Sequence, residues 1–175
     1  MENSRSFYNE ILTDHNLRPG HKHDLPGANL ELRGVNPSCG DNITLKLRVE
    51  DGVIQDGAFI GDGCAISQAS ADMMLDLVIG RSEEEAKRLS EIFLRMIKGK
   101  VTEAELEELE EAAALSDIAH MPARVKCAVL GWRTMEALLN NPVAPGEAER
   151  AADLDAPETL ERPADTIKST AETGR

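Results

Sequence analysis

Apolar positions along this chain switch between a period of two and a period of three to four, and the switches mark its elements. Ile43, Leu45, Leu47 and Val49 alternate strictly with Thr44, Lys46 and Arg48. That pattern predicts a half-buried antiparallel strand. Asp51-Gly52 follows, a pair that tolerates the positive φ of a tight hairpin turn. Val53 to Ile60 then returns as the partner strand, with Gly57 a candidate bulge. Upstream, Leu30 to Val35 reads as a first strand with Leu30, Leu32 and Gly34 on one side. Before it, Phe7, Tyr8, Ile11, Leu12 and His15 recur at helical spacing over Ser4 to Asn16, with Ser4 as N-cap and Pro19-Gly20 as the stop. Gly20 to Gly27 is a loop. Its His21 and His23 read as exposed polar residues and not as a metal pair, because no further ligand lies nearby in the sequence.

After Cys64 the period lengthens. Ala65, Ile66, Ala69, Met73, Leu77 and Val78 predict a helix ended by Gly80, with small residues that allow close approach to the sheet. Ser82 with Glu85 opens a helix through Ala86, Leu89, Ile92, Phe93, Met96 and Ile97, which Gly99 breaks. Thr102 with Glu105 repeats that opening, and a strongly acidic helix runs to about Ala114 with its glutamates on a solvated face. Pro122 suits the first turn of a last helix, whose buried stripe is Val125, Ala128, Val129, Trp132, Met135 and Leu139. The expected fold class is therefore α+β, a small antiparallel three-stranded sheet packed on one side by four to five helices. One domain covers residues 1–139. Residues 140–175 are an acidic, proline-containing tail, disordered or weakly docked, with room for a short helix around Leu160.

Composition narrows the function classes. The 175 residues carry a formal net charge of −13, which argues against nucleic acid and against an anionic membrane surface as partners. Aromatic residues make up only 3%, so aliphatic side chains must fill the core. Residues 1–30 contain no apolar run of signal-peptide type. Three cysteines in such a chain point to a reducing cytoplasm, where a cysteine cluster reads as metal-binding or catalytic and not as a disulfide framework.

Those cysteines are the candidate chemistry. Asn36-Pro37-Ser38-Cys39-Gly40-Asp41 places a thiol and a carboxylate two residues apart in a hairpin loop. The far strand ends in Gly61-Asp62-Gly63-Cys64, and Cys127 lies near the start of the last helix. A closed hairpin brings Cys39 and Cys64 to one end of the sheet. Docking of Cys127 there would complete a site of three thiols and one carboxylate, suited to a borderline-soft cation such as zinc. Cys64 and Cys127 also lie at helix starts, where the helix dipole favours thiolate. Spacing alone leaves two other readings open: buried inert thiols, or a cysteine–histidine dyad using His120 or His15.

The chain resembles the NifU/IscU-like scaffold family of iron–sulfur cluster assembly, and within it the SufU branch. Four segments carry the resemblance: Asp14-His15 followed by Pro19, the loop Asn36 to Asp41, Gly61-Asp62-Gly63-Cys64-Ala65-Ile66-Ser67, and Pro122-Ala123-Arg124-Val125-Lys126-Cys127-Ala128. They span about Phe7 to Leu139. IscU-type scaffolds have a histidine directly before the third cysteine, where this chain has Lys126, and a connection shorter by roughly the stretch Phe93 to Ala113. The resemblance implies a SufE/NifU-like fold and a zinc held by Cys39, Asp41, Cys64 and Cys127. It implies a sulfurtransferase that takes persulfide sulfur from a SufS-type cysteine desulfurase onto Cys39, a partner histidine replacing Cys39 on the zinc. Sulfur would pass on to downstream SUF scaffold proteins. Arg124, one turn before Cys127, would hold a cation beside the thiolate, or is a surface arginine. The other reading is a scaffold that binds iron or a [2Fe–2S] cluster at the same residues.

Overall fold

The computed structural model describes residues 2–147 and 152–153. Helix α1 (Glu2–Leu17) leads through a loop to β1 (Leu30–Asn36), β2 (Asp41–Glu50) and β3 (Val53–Asp62). Helices α2 (Ala65–Val78), α3 (Glu83–Ile97) and α4 (Glu103–Glu108) follow. A 3₁₀ segment (Glu110–His120) and α5 (Pro122–Asn140) complete the helical layer. The three strands form an antiparallel meander, and Ala152–Asp153 adds a two-residue β4 parallel to β1. The α+β expectation, with helices on one face of a three-stranded antiparallel sheet, matches this arrangement.

Strand alternation decides which side chains meet the helices. On β2 the residues Ile43, Leu45 and Leu47 are fully buried, and the register sets them opposite Gly34, Leu32 and Leu30 on β1. Asp51 (φ 52) and Gly52 (φ 73) make the β2–β3 turn with both central residues left-handed, as a two-residue hairpin requires. Gly57 is not the bulge. The irregularity lies between Arg48 and Val49, which pair with Asp56 and Ile54 and leave Gln55 without a partner. Gly57 serves packing instead: a Cβ there would lie 2.7 Å from Leu75 and 3.0 Å from Leu47.

Small residues let helix α5 sit directly on α2 and the sheet. A Cβ at Gly34 would meet Thr134 Oγ1 at 2.1 Å, and one at Gly131 would meet Ala71 Cβ at 3.2 Å. Trp132 belongs to the buried stripe as its spacing predicts, and it stacks on Phe93 with ring centroids 4.2 Å apart. Its indole N–H donates to Ser70 Oγ (3.0 Å), which donates to the Ala128 carbonyl (2.6 Å), so the polar atoms of this contact are satisfied.

Other element boundaries shift. Helix α1 starts at Glu2, so Ser4 lies inside it and does not cap it. The Thr102–Glu105 capping box forms as expected. The acidic helix nevertheless stops at Glu108, because Glu110 adopts φ 51 and the chain continues as the 3₁₀ segment. At the start of the tail, Val143 accepts from the Glu31 N–H (2.9 Å) and Gly146 N donates to Glu31 Oε2 (3.3 Å). Residues 141–147 thus run beside β1, and the expected helix around Leu160 lies outside the described residues. The free edge of β3 is covered too, since Phe59 N donates to the His21 carbonyl (2.9 Å).

The α2–α5 contact gives a stability prediction. Gly131→Val forces a branched side chain against Ala71 and should cost about 1–3 kcal/mol, read as a lower urea midpoint with an unchanged m-value. An unchanged midpoint would mean the two helices do not pack this closely.

Candidate metal centre

The β1–β2 register places Asn36 directly opposite Asp41 at the end of the ladder. Both continue the inward phase occupied by Leu32, Gly34, Ile43 and Leu45, and both are 0% exposed. The connecting residues 37–40 close the hairpin with Gly40 at φ 70, and Cys39 stands exposed on this loop. Helix α5 brings Cys127, fully buried, up against it. The two sulfurs are 3.3 Å apart, well beyond the length of a disulfide bond, and both cysteines are free.

Asp41 is held from two sides. Its Oδ1 accepts the Cys64 N–H (2.8 Å) and its Oδ2 accepts Asn36 Nδ2 (3.3 Å). Gly63 leaves room for this, because a Cβ there would lie 3.1 Å from Asp41 Oδ1 and 2.3 Å from Ser67 Oγ. The Asn36 amide nitrogen also points at Cys127 Sγ (3.8 Å). Cys64 caps α2, its sulfur accepting from the Ser67 N–H at 3.5 Å. The helix start thus directs a backbone donor at the sulfur.

Cys39, Asp41 and Cys127 form a group whose candidate ligand atoms all lie within 4.8 Å of one another. Cys64 adjoins this group without belonging to it at that spacing: its thiol is near enough to Cys127 to raise that thiol's pKa, and its N–H holds Asp41. The donors present are soft sulfur and hard carboxylate oxygen, a set that fits a divalent transition cation. The amide orientation of Asn36 points the same way. It offers N–H to the carboxylate and the sulfur and leaves its own buried Oδ1 without a hydrogen-bond partner among the described residues. Such an amide serves groups that accept, as metal-bound carboxylate and thiolate do. Burial, then the neighbouring Cys39 and Cys64 thiols, then the charge of Cys64, push the Cys127 thiol far above its ordinary range. A cation among these ligands reverses that balance by favouring the deprotonated sulfur.

The cysteine–histidine dyad is not what the geometry assembles. His15 commits both ring nitrogens to carboxylates, Asp72 (2.6 Å) and Glu111 (2.5 Å). His120 is exposed at the end of the 3₁₀ segment. Arg124 is exposed on the first turn of α5, and among the described residues no hydrogen bond or ion pair links it to the cysteines. Asn36 is the residue of the centre that reading the thiols alone passes over. The signal for it is phase: Leu32, Gly34 and Asn36 share one face of β1, so the asparagine lands where an apolar residue is expected.

Residues 7–128 match the family described as the NifU-like N-terminal domain. A Streptococcus pyogenes protein named iron–sulfur cluster assembly scaffold protein IscU is 42% identical over 130 residues, covering 74% of this chain and 80% of its own. The Bacillus subtilis zinc-dependent sulfurtransferase SufU is 35% identical over 134 residues, covering 77% and 90%. Among solved structures, a Fervidobacterium islandicum protein described as a cluster assembly scaffold for the SUF system is 33% identical. It superposes with a TM-score of 0.70 over 74% of this chain and 94% of its own.

Asn36 supplies the prediction for the centre. Asn36→Ala removes the donor that orients Asp41, and the affinity for a divalent cation should fall about 10–100-fold in a chelator competition. An affinity equal to the parent protein's would make Asn36 a spectator.

Proposed function

The chain belongs to the NifU/IscU-like family built on the NifU-like N-terminal domain, and from that premise we propose that it is an iron–sulfur cluster assembly protein that accepts persulfide sulfur. The donor is a SufS-type cysteine desulfurase, the acceptor is Cys39, and the ligands of a bound zinc are Cys39, Asp41, Cys64 and Cys127. Zinc supplies one thing here, the stabilisation of thiolate at neutral pH. The observation that carries the reading is the gradient of burial across the centre. Cys127 and Asp41 are buried, Cys64 is half-buried, and Cys39 alone is exposed, on a loop.

That gradient divides the labour. Asp41, Cys64 and Cys127 are fixed by strand register, helix cap and core packing, so they stay in place. Cys39 is held by its short loop and by one sulfur contact to Cys127, and can turn towards a docked protein. Its thiolate attacks the terminal sulfur of the partner's cysteine persulfide. The S–S bond breaks, the partner's cysteine leaves as thiolate, and the transferred sulfur remains on Cys39 as a persulfide. No electrons are gained or lost overall. Docking by a positively charged patch would suit the acidic surface of this chain, while downstream SUF scaffold proteins would be the next acceptors. Free thiols of this kind suit a reducing cytoplasm, and no helix among the described residues is long and apolar enough to cross a membrane. Arg124, exposed beside the Cys127 turn, is proposed to steer the anionic persulfide.

A second reading is a scaffold that holds a [2Fe–2S] cluster at the same residues. The observation favouring it is the scaffold name of the Streptococcus pyogenes relative, at higher identity than SufU. Lys126 before the third cysteine favours the first reading.

Elemental analysis of the purified protein should give zinc in about equimolar amount, and adding the protein should raise desulfurase turnover. In Cys39→Ala both that stimulation and the appearance of persulfide-sulfur mass on the chain should vanish. A stable cluster transferable to an apo-protein after anaerobic reconstitution, with no stimulation of the desulfurase, would instead establish the scaffold.

A further inference from the structure

Two groups of His, Cys, Asp and Glu among the described residues bring candidate ligand atoms within 4.8 Å of one another. One is the thiol centre, and the other is His15, Asp76 and Glu111. Three separate elements supply this second group: His15 comes from α1, Asp76 from α2, and Glu111 from the 3₁₀ segment. The loop after α1 adds His21, whose Nε2 lies 2.6 Å from Asp76 Oδ1. One imidazole and two carboxylates therefore converge on one spot, and a second imidazole holds Asp76 from the side. The sequence offers His21 no neighbouring ligand; the fold brings it one from α2.

The surroundings are those of a built metal site. Asp72, 2% exposed, accepts from His15 Nδ1 at 2.6 Å and from the His21 backbone N–H at 2.9 Å. That is the carboxylate–histidine arrangement which fixes the tautomer and orientation of a ligating imidazole. It leaves His15 Nε2 directed at Glu111 Oε2, 2.5 Å away. His15 is 7% exposed, whereas the side chains of Asp76 and Glu111 are 52% and 61% exposed. One anchored histidine thus faces two carboxylates with open access from solvent. Without a cation, His15 must be protonated on both nitrogens to serve Asp72 and Glu111. Burial lowers its pKa, but the hydrogen bonds to Asp72 and Glu111 outweigh this and raise it. Even then one imidazolium faces three carboxylates: Asp72, Asp76 and Glu111.

We propose that His15 and Glu111, with Asp76 and His21, form a second site for a divalent first-row transition cation, bound through nitrogen and oxygen alone. His15 Nε2 and the two half-exposed carboxylates are the ligands, and Asp72 orients His15. The cation takes the place of the Nε2 proton and offsets the excess negative charge. Imidazole and carboxylate donors suit zinc, ferrous iron or cobalt. Donor atoms around such an ion lie about 2.0–2.2 Å from it, a spacing that asks the exposed Glu111 to draw back from His15 Nε2 and the exposed Asp76, 4.0 Å from His15 Nδ1, to swing in towards Nε2. A cation here ties α1 to α2 and the 3₁₀ segment. The site is independent of how the thiol centre is read.

The test uses the full chain with its thiol centre filled by one equivalent of zinc, titrated with Co²⁺. One further equivalent should bind, with weak d–d absorption and no thiolate-to-cobalt charge-transfer band. Asp76→Asn/Glu111→Gln should abolish that second equivalent and leave zinc retention unchanged. Glu111→Gln alone keeps an acceptor for His15 and should weaken cobalt binding about tenfold or more, with the melting temperature in the absence of cobalt preserved. The proposal is overturned if no cobalt binds beyond the zinc equivalent. It is also overturned if the bound cobalt shows a thiolate band, or if the variants bind it as tightly as the parent.

Discussion

Two polar side chains at the last rung of the β1–β2 ladder, Asn36 and Asp41, lie on the face that elsewhere presents leucine, isoleucine and glycine to the helices. An unsatisfied buried polar group costs about 1–3 kcal/mol, so each needs partners that the fold must supply. Asp41 takes the Cys64 N–H and the Asn36 amide. That single carboxylate therefore ties the β1–β2 hairpin to the end of β3 and the start of α2. Cys127 on α5 is reached through the same asparagine. The residual need, a buried carboxylate and buried sulfur without enough compensating charge, is what a divalent cation meets.

The helical layer exists, in functional terms, to deliver Cys127 to that rung. Glycine at positions 34 and 131 lets α5 approach both β1 and α2. The stacked Trp132–Phe93 pair then locks the far side of α5. Rigidity is confined to this side of the centre. Cys39 lies on the exposed loop between two well-paired strands, so it can move while Asp41, Cys64 and Cys127 are held by packing. A centre with uniformly buried ligands would hold its metal as firmly and would have no thiol to offer a partner.

Much of this was legible in the sequence. The strict alternation of Ile43 to Val49 fixes β2, the Asp51-Gly52 pair fixes the turn, and together they bring Cys39 and Cys64 to one end. Three of the four segments that carry the resemblance to SufU-type proteins are gathered there by the fold. The fourth, Asp14-His15 with Pro19, lies apart, with His15 against Asp72 and Glu111. What stayed hidden depends on contacts between distant elements. The carboxylate partners of His15 and His21 are 51 to 96 residues away in the chain, so a loop histidine pair looked solitary. The acidic stretch after Thr102 read as one helix, yet Glu110 turns it into a 3₁₀ segment that carries Glu111 to His15. Gly57 looked like a bulge because its real constraint, the side chain of Leu75 on α2, is invisible to strand periodicity.

The central claim is that three thiols and one carboxylate, organised by the Asn36–Asp41 rung, hold a single zinc. Zinc-edge X-ray absorption on the protein carrying one equivalent of the metal tests it most directly. The account predicts a first shell of three sulfurs and one oxygen, losing its oxygen order in Asp41→Ala while the sulfurs remain. A shell of nitrogen and oxygen only, or one unaffected by that substitution, would contradict it.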